Sequence, residues 1–194
     1  MEDNLYAPPA SNVVEPAPSA AGAAFYVVAP YKFCLLFFAT LGLYQLYWFY
    51  MQWARYRRHS GETLWAVPRT IFAIFYTHAL AGRIDAVLRE RGERYDWSPG
   101  GVATLYVLAQ IASTLFDRFT ARMDSAAVDL VSLAMLIPIG LSLLRLQQAA
   151  NLASGDARGD SNRGFSAANY VWTILGALLW LVMLIGLMDA YPAG

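Results

Sequence analysis

The sequence is poor in charge. Only 14% of its 194 residues are charged, whereas 58% are hydrophobic, and a soluble domain carries about 25% charged residues. A water-soluble fold of this length cannot cover so much apolar surface, because small domains bury only about 70% of the surface that their unfolded chains expose. The 14 basic and 14 acidic residues cancel, which argues against nucleic acid as a partner. We therefore expect a lipid bilayer as the solvent.

Cysteine and histidine are nearly absent as well. The single cysteine, Cys34, excludes an internal disulfide and a site built from several thiolates, and the only histidines are His59 and His78. The HExxH, CxxC, GxSxG and P-loop motifs of common enzymes and nucleotide-binding proteins are also missing. We therefore expect a non-catalytic protein without a metal or another cofactor.

Prolines concentrate at the start of the chain. Five of the nine lie within residues 1–30, among alanines and serines. This segment lacks the periodic apolar pattern of a helix, and its prolines remove amide donors. The sequence therefore predicts a disordered tail over residues 1–30, followed by a single helical transmembrane domain over residues 31–190.

Five apolar segments follow this tail. A helix needs about 20 residues to cross the roughly 30 Å hydrocarbon layer. Three segments are uncharged over about that length or more, and the fourth has 15 uncharged residues between Asp129 and Arg145, whose charges can snorkel to the interface. The second has only 13 uncharged residues, between Arg69 and Arg83. The four longer stretches are 33–54, 98–116, 130–144 and 164–188. The alternating pattern of barrel strands is missing, so the sequence predicts an all-α integral membrane protein.

The short second segment differs from the other four. Arg69, Tyr76, Arg83 and Glu90 are spaced by seven and share one stripe of a helix. If all five segments cross, eight Lys and Arg residues lie on one side and six on the other; if this segment does not cross, the division is eleven to three. Cytoplasmic loops are enriched in Lys and Arg. The sequence therefore favours four transmembrane helices plus one amphipathic or re-entrant helix, with five transmembrane helices as the alternative.

The end of the first segment predicts an orientation. Tyrosine and tryptophan rings between Tyr44 and Trp53 favour the headgroup level, and Arg55, Arg57 and Arg58 behind them favour the cytoplasmic side. We therefore expect the first segment to cross the membrane and to exit into the cytoplasm, with the tail outside.

The same segment resembles a family signature. The stretch Gly42-Leu43-Tyr44, Tyr47-Trp48-Phe49-Tyr50 and Trp53 is similar to the GLYxxYWFYxxW signature of a bacterial family of uncharacterised inner-membrane proteins, described as domains of unknown function. Similarities at 69–76 and 146–172 extend the resemblance over residues 31–188. It implies a multi-pass protein of the bacterial inner membrane and supplies no catalytic residues.

Six polar residues in or beside the apolar segments are candidates for a site: Arg69, His78, Arg83, Asp85, Gln110 and Arg145. Ionisable groups at membrane depth are costly and often functional. His78 and Asp85 share a helix face, so a proton relay competes with a neutral His78 bonded to a neighbouring helix. Arg69 and Arg145 either bind an anionic substrate or lipid headgroup, or mark the interface by snorkelling.

The sequence leaves three functions open. The first is a non-catalytic scaffold, regulatory or envelope-associated protein of the inner membrane, which has lipid and either another membrane protein or a second copy as partners. The alternative is a small oligomeric transporter or channel, with Gln110 as the best polar group inside a span. The third is a lipid-acting membrane enzyme that uses His78 and Asp85.

Overall fold

A computed structural model of the chain describes residues 22–123 and 125–190, and these residues form helices without any β-strand. The predicted all-α class is therefore confirmed for this part of the chain. Loop 154–166, which contains a single 3-10 turn at Asp160–Asn162, joins the last two helices. The helices are α1 (Pro30–Ala39), α2 (Tyr44–Ser60), α3 (Ala66–Ile71), α4 (Ala73–Glu90), α5 (Pro99–Thr120), α6 (Ala126–Ala134), α7 (Leu136–Ala153) and α8 (Ala167–Ala190).

Three helical stretches are long and apolar enough to cross a membrane. They are Pro99–Thr120, Ala126–Ala153 and Ala167–Met188, and they correspond to the third, fourth and fifth apolar segments. The middle stretch combines α6 and α7, which are separated only at Met135. Pro138 follows three residues later, where its ring and missing N–H disrupt the helical hydrogen bond to residue 134.

The first apolar segment is divided into two helices instead of forming one. At the turn after α1, Leu41 has a φ of 50° and Gly42 a φ of 85°, values that end a right-handed helix. The chain then reverses direction. This is seen in the packing of Phe33 of α1 against Tyr44 and Trp48 of α2, at ring-centroid distances of 6.1 and 5.9 Å. The continuous crossing helix expected over residues 33–54 is thus replaced by a hairpin.

Two glycines allow α1 to lie close to α7 and α8. A Cβ on Gly140 would lie 2.9 Å from the Phe37 ring, and one on Gly176 would lie 2.4 Å from the carbonyl oxygen of Ala39. Small residues of this kind permit close helix packing. Beyond α1, a Cβ on Gly42 would lie 3.3 Å from Leu136, so the tip of the hairpin reaches the middle of the α6–α7 stretch.

The second apolar segment is also broken, at Phe72, into α3 and α4. Neither helix is among the stretches that are long and apolar enough to span. Helix α4 buries its Leu80 and Ile84 side and packs against α5 and α7. At this break and at the start of α4, Phe72 and Phe75 are exposed.

Residues 24–29 form a non-helical strip within the core. All six are buried, and Phe25 and Val28 are fully inaccessible. These residues fall within the range 1–30 for which the sequence predicts a disordered tail, so the packed domain begins earlier than residue 31. Residues 1–21 of the predicted tail lie outside the described residues.

The two ends of the helical bundle differ in charge. One end gathers the starts of α1, α5 and α8, the ends of α2, α4 and α7, and loop 154–166. There Arg91 donates to the carbonyl of Ala153 (3.0 Å) and the Tyr95 hydroxyl to Gln148 (3.0 Å). We call it the basic end, because these elements and their loops hold eleven of the 14 Lys and Arg residues, and α3, which packs against α2, adds Arg69. The other two, Arg118 and Arg122, lie at the opposite end.

Candidate functional site

Polar side chains of α2 and α7 bond the backbone of strip 24–29. Gln52 accepts from the Tyr26 amide (3.1 Å) and donates to its carbonyl (3.2 Å). Asn151 pairs in the same way with Val28, at 3.2 and 2.9 Å. A side-chain amide has one acceptor group and one donor group, as a peptide does. The two amides therefore take the place of a neighbouring strand.

Gln147 connects these two pairs. Its Nε2 donates to the carbonyl of Tyr26 (3.0 Å) and to Asn151 (2.6 Å), while its Oε1 accepts from Gln52 Nε2 (3.1 Å) and from the Trp48 indole. The four side chains of this buried network, Trp48, Gln52, Gln147 and Asn151, are thus bonded within the protein. A network with its partners already satisfied makes a fold rigid and specific, and we assign it a structural role.

Arg69 and Arg83 pack against aromatic residues of α2. The Arg69 guanidinium lies 4.5 Å from the centroid of the Trp53 ring and 5.0 Å from that of Tyr76. Arg83 donates to the Tyr56 hydroxyl (2.8 Å) and pairs with Glu62. The hydrogen bond to Tyr56 is the main factor that raises the pKa of Arg83. The predicted polar stripe therefore joins α3 and α4 to α2.

His78 and Asp85 take separate partners. The His78 ring is exposed, and its Nε2 lies 3.0 Å from the Thr104 hydroxyl on α5. Asp85 instead pairs with Arg89 one turn further along α4 (2.9 Å). His78 thus contacts a neighbouring helix, and the two residues do not form a relay pair in the described part of the chain.

Gln110 belongs to a small polar cluster on α5, one of the helices that are long and apolar enough to span a membrane. Its Nε2 lies 3.3 Å from Gln45 Oε1 on α2 and 3.2 Å from the Tyr106 hydroxyl, which itself donates to Gln45 (3.1 Å). Gln110 is half-buried. The cluster thus ties the hairpin to α5.

Arg145 lies in a cleft of about 630 Å³ at the basic end. Arg158 and Arg163 of loop 154–166 line the same cleft, as do Tyr31 of α1 and Gln148 of α7. The remaining lining residues are Ala29, Pro30, Tyr95, Leu152, Ala157 and Asp160. We call this the arginine cleft, because it brings Arg145 together with two further guanidinium groups around an open volume.

Loop 154–166 is held in shape by Asp156. Its carboxylate accepts from the amides of Asp160 (2.9 Å) and Ser161 (2.8 Å). Burial alone would raise the pKa of Asp156, but these hydrogen bonds favour the ionised form and the net effect lowers its pKa. Gly159, with a φ of 70°, lies so close to the Val28 backbone that a Cβ there would approach within 2.6 Å. The loop therefore rests directly on strip 24–29.

The role of the buried amides and of the two loop arginines was not predicted from the sequence. Gln147 and Asn151 are four residues apart and share a helix face directly after an apolar segment, a spacing that could have indicated a polar contact. Nothing in the sequence indicated that strip 24–29 would be their partner. Arg158 and Arg163 belong to a loop, whose path has no helical period to predict it.

Known proteins do not add to this description. Among the described residues, no group of three or more His, Cys, Asp and Glu side chains could hold a metal ion. No protein-family model, curated protein or solved structure matches the chain.

Proposed function

We propose that the chain is a non-catalytic, multi-pass protein of the bacterial inner membrane that works by binding at its cytoplasmic surface. The observation that carries this proposal is the charge difference between the two ends of the bundle, twelve Lys and Arg residues against Arg118 and Arg122. Cytoplasmic loops are enriched in Lys and Arg, so the basic end faces the cytoplasm. The resemblance of the first segment to a bacterial inner-membrane family supports the same location.

In the proposed topology the chain crosses the membrane three times, through α5, α6–α7 and α8. Helices α1 and α2 then form a re-entrant hairpin that enters from the cytoplasm and returns to it, while α3 and the start of α4 lie in the interface with Phe72 and Phe75 towards lipid. Backbone at membrane depth that is not helical must be covered by protein, and Leu136 beside Gly42 supports such an insertion of the turn. The two sides of the membrane then hold twelve and two Lys and Arg residues, a more unequal division than the eleven to three of the topology with four crossings.

Labelling of single cysteines tests this topology. In a Cys34→Ser background, cysteines at Gly22, Ser60 and Trp97 should be protected from a membrane-impermeant maleimide in intact cells, and one at Met123 should react. All four should react in permeabilised cells, which controls for burial. Opposite behaviour of Gly22 and Ser60 would show that the first segment crosses and would overturn the re-entrant hairpin.

The binding role is tested by mild extraction and co-purification with cross-linking. A stable partner that is lost when Arg57 and Arg58, at the end of α2, are replaced by glutamine would support binding at the basic end. A protein that stays free of partners and of bound lipid would count against it.

A transporter or channel is the second candidate, because the Gln45–Tyr106–Gln110 cluster places polar groups inside the α5 span. Flux into liposomes that is abolished by Gln110→Ala and kept in Thr114→Ala would favour this function. Thr114 is a matched control, since it lies one turn further along α5 and, among the described residues, its hydroxyl bonds only the Gln110 carbonyl of its own helix.

A further inference from the structure

We propose that the arginine cleft binds a phosphate-bearing anion at the depth of the lipid headgroups. This inference rests on the proposed function for its membrane depth, whereas its charge and geometry come from the cleft alone. The bound group is a phosphate monoester or diester, carried either by an anionic lipid or by a soluble molecule.

The cationic groups of the cleft have spare binding capacity. Arg145 is exposed and has no hydrogen bond or ion pair within the part of the chain that the structure describes. Arg158 and Arg163 share the single carboxylate of Asp160, at 3.7 and 3.6 Å, well beyond the roughly 2.8 Å of a strong charge-assisted bond. Three guanidinium groups thus face one carboxylate, and a planar guanidinium can bind phosphate through two donors at once.

Uncharged donors face the same volume. The Tyr95 hydroxyl donates to Gln148 Oε1 (3.0 Å). This hydrogen bond fixes the orientation of the Gln148 side-chain amide, whose NH₂ group can then donate to a ligand. Ala29, Pro30 and Tyr31 bring the first turn of α1 to the cleft wall. The positive end of a helix dipole favours an anion there.

The cleft lies where lipid phosphates would be found. Arg145 is the first charged residue after the uncharged stretch 130–144 of the α6–α7 span, and Arg163 directly precedes the uncharged stretch 164–188 that contains α8. Charged residues that border crossing helices lie at the headgroup level. The apolar parts of the wall, Leu152 and Ala157, suit a ligand that continues into lipid.

The experiment compares two sources of phosphate with the full chain in nanodiscs. In the lipid arm, native mass spectrometry measures phosphatidylglycerol retained from mixed phosphatidylglycerol and phosphatidylcholine. In the soluble arm, calorimetry measures inorganic phosphate and pyrophosphate binding in phosphatidylcholine alone. The double variant Arg145→Gln with Arg163→Gln should weaken binding by about tenfold or more. Arg118→Gln, an exposed arginine at the opposite end, should leave it unchanged.

Two further variants add charge without removing a contact of the cleft. Ala157→Glu places a carboxylate on the exposed cleft wall and should weaken binding, whereas Thr63→Glu adds the same charge at an exposed site outside the cleft and should not. This pair keeps the test valid if the double arginine variant fails to fold.

Each outcome decides the proposal. Loss in the lipid arm alone identifies a lipid headgroup, and loss in the soluble arm identifies a free phosphate compound. Equal loss in Arg118→Gln, or no loss in either cleft variant, overturns the site. If cysteine labelling places the basic end outside the cell while the cleft variants still lose phosphate binding, the proposed topology fails and the anion site stands.

Discussion

The first and last apolar segments look alike in sequence and differ in structure. Residues 33–54 and 164–188 are both uncharged and long enough to span a bilayer. The first is folded back into α1 and α2, with Trp48 and Trp53 fully buried. In the last, only 6% of the apolar stretch of α8 is buried. Length and hydropathy therefore identify a chain that can enter lipid, and they leave its path through the lipid undetermined.

The difference lies in what each segment has to bond with. The turn of the first segment is held by Thr40, whose hydroxyl donates to the Leu36 carbonyl (2.8 Å) and accepts from the Tyr44 amide (3.0 Å). Around the hairpin, buried amides of α2 and α7 provide specific partners. Helix α8 instead faces its surroundings with apolar side chains over most of its length. The hairpin thus depends on defined contacts, whereas α8 depends on its solvent.

The largest expected effect is on the amide that holds strip 24–29. Asn151→Leu preserves volume but leaves the amide and carbonyl of Val28 without their partner, and each unsatisfied buried group costs about 1–3 kcal/mol. We expect the free energy of unfolding in detergent to fall by about 3 kcal/mol, as measured by denaturant titration. Thr173→Val in α8 is the control and should cost no more than about 0.5 kcal/mol, since Thr173 bonds only its own helix. Similar losses would remove the distinction between the two regions.

The next effect concerns the contact between the two regions. Gly176→Ala brings a methyl group against the Ala39 carbonyl at the end of α1, and overpacking of this kind costs about 1–3 kcal/mol. Gly186→Ala lies in the same helix with no atom within 4 Å of the added Cβ. It should leave stability unchanged or raise it by up to about 1 kcal/mol, because alanine favours a helix. Equal values in unfolding experiments would show that α1 does not press on α8.

The helices that can span a membrane could be predicted from the sequence. The third, fourth and fifth segments correspond to the three stretches that can span, because long uncharged helices need only the bilayer to be stable. The path of the first segment could not be predicted in this way. Its turn at Gly42 packs against Leu136, and its α2 half bonds Gln147 through Trp48 and Gln52. Such contacts are distant in sequence.

Part of the candidate site, too, could be predicted from the sequence, and part could not. Arg145 was identified because a charged residue beside an apolar segment is unusual. Arg158 and Arg163 could not be identified in this way. They line the cleft because loop 154–166 packs on strip 24–29 at Gly159. His78 and Asp85 share a helix face by spacing, yet Thr104 and Arg89 bind them separately. Spacing along one helix identifies shared faces, while competing partners decide which residues meet.

A smaller difference is expected between two tryptophans. Trp48→Phe removes the indole donor to Gln147 and leaves a void in a fully buried position, which should cost about 2 kcal/mol. Trp180→Phe makes the same change in α8, where the ring is half-buried, and should stay within about 0.5 kcal/mol. Tryptophan fluorescence during denaturant unfolding measures both. A larger loss at Trp180 would contradict the assignment of the hairpin as the region that depends on specific packing.

The smallest expected effect on stability comes from Asp156 in loop 154–166, which connects α7 to α8, and it depends on pH. Because its folded-state pKa is lowered, Asp156 contributes stability above the ordinary aspartate pKa of about 4, and this contribution is lost as the pH falls through the lowered value. Asp156→Asn should cost about 1 kcal/mol near neutral pH, because uncharged acceptors bind the amides of Asp160 and Ser161 more weakly. The variant should also lose less stability than the parent below pH 4.

Hydrogen exchange locates this last effect. Gly159 rests on Val28, so loosening of the loop by Asp156→Asn should increase amide exchange in strip 24–29 first. The middle of α8 should keep its protection, since its hydrogen bonds are internal to the helix and shielded by lipid. Uniform loss of protection would mean that the hairpin and α8 unfold as one unit. Selective loss of protection would mean that the loop stabilises the hairpin region and not α8. The two regions would then differ in how they are stabilised, although their apolar segments look alike in sequence.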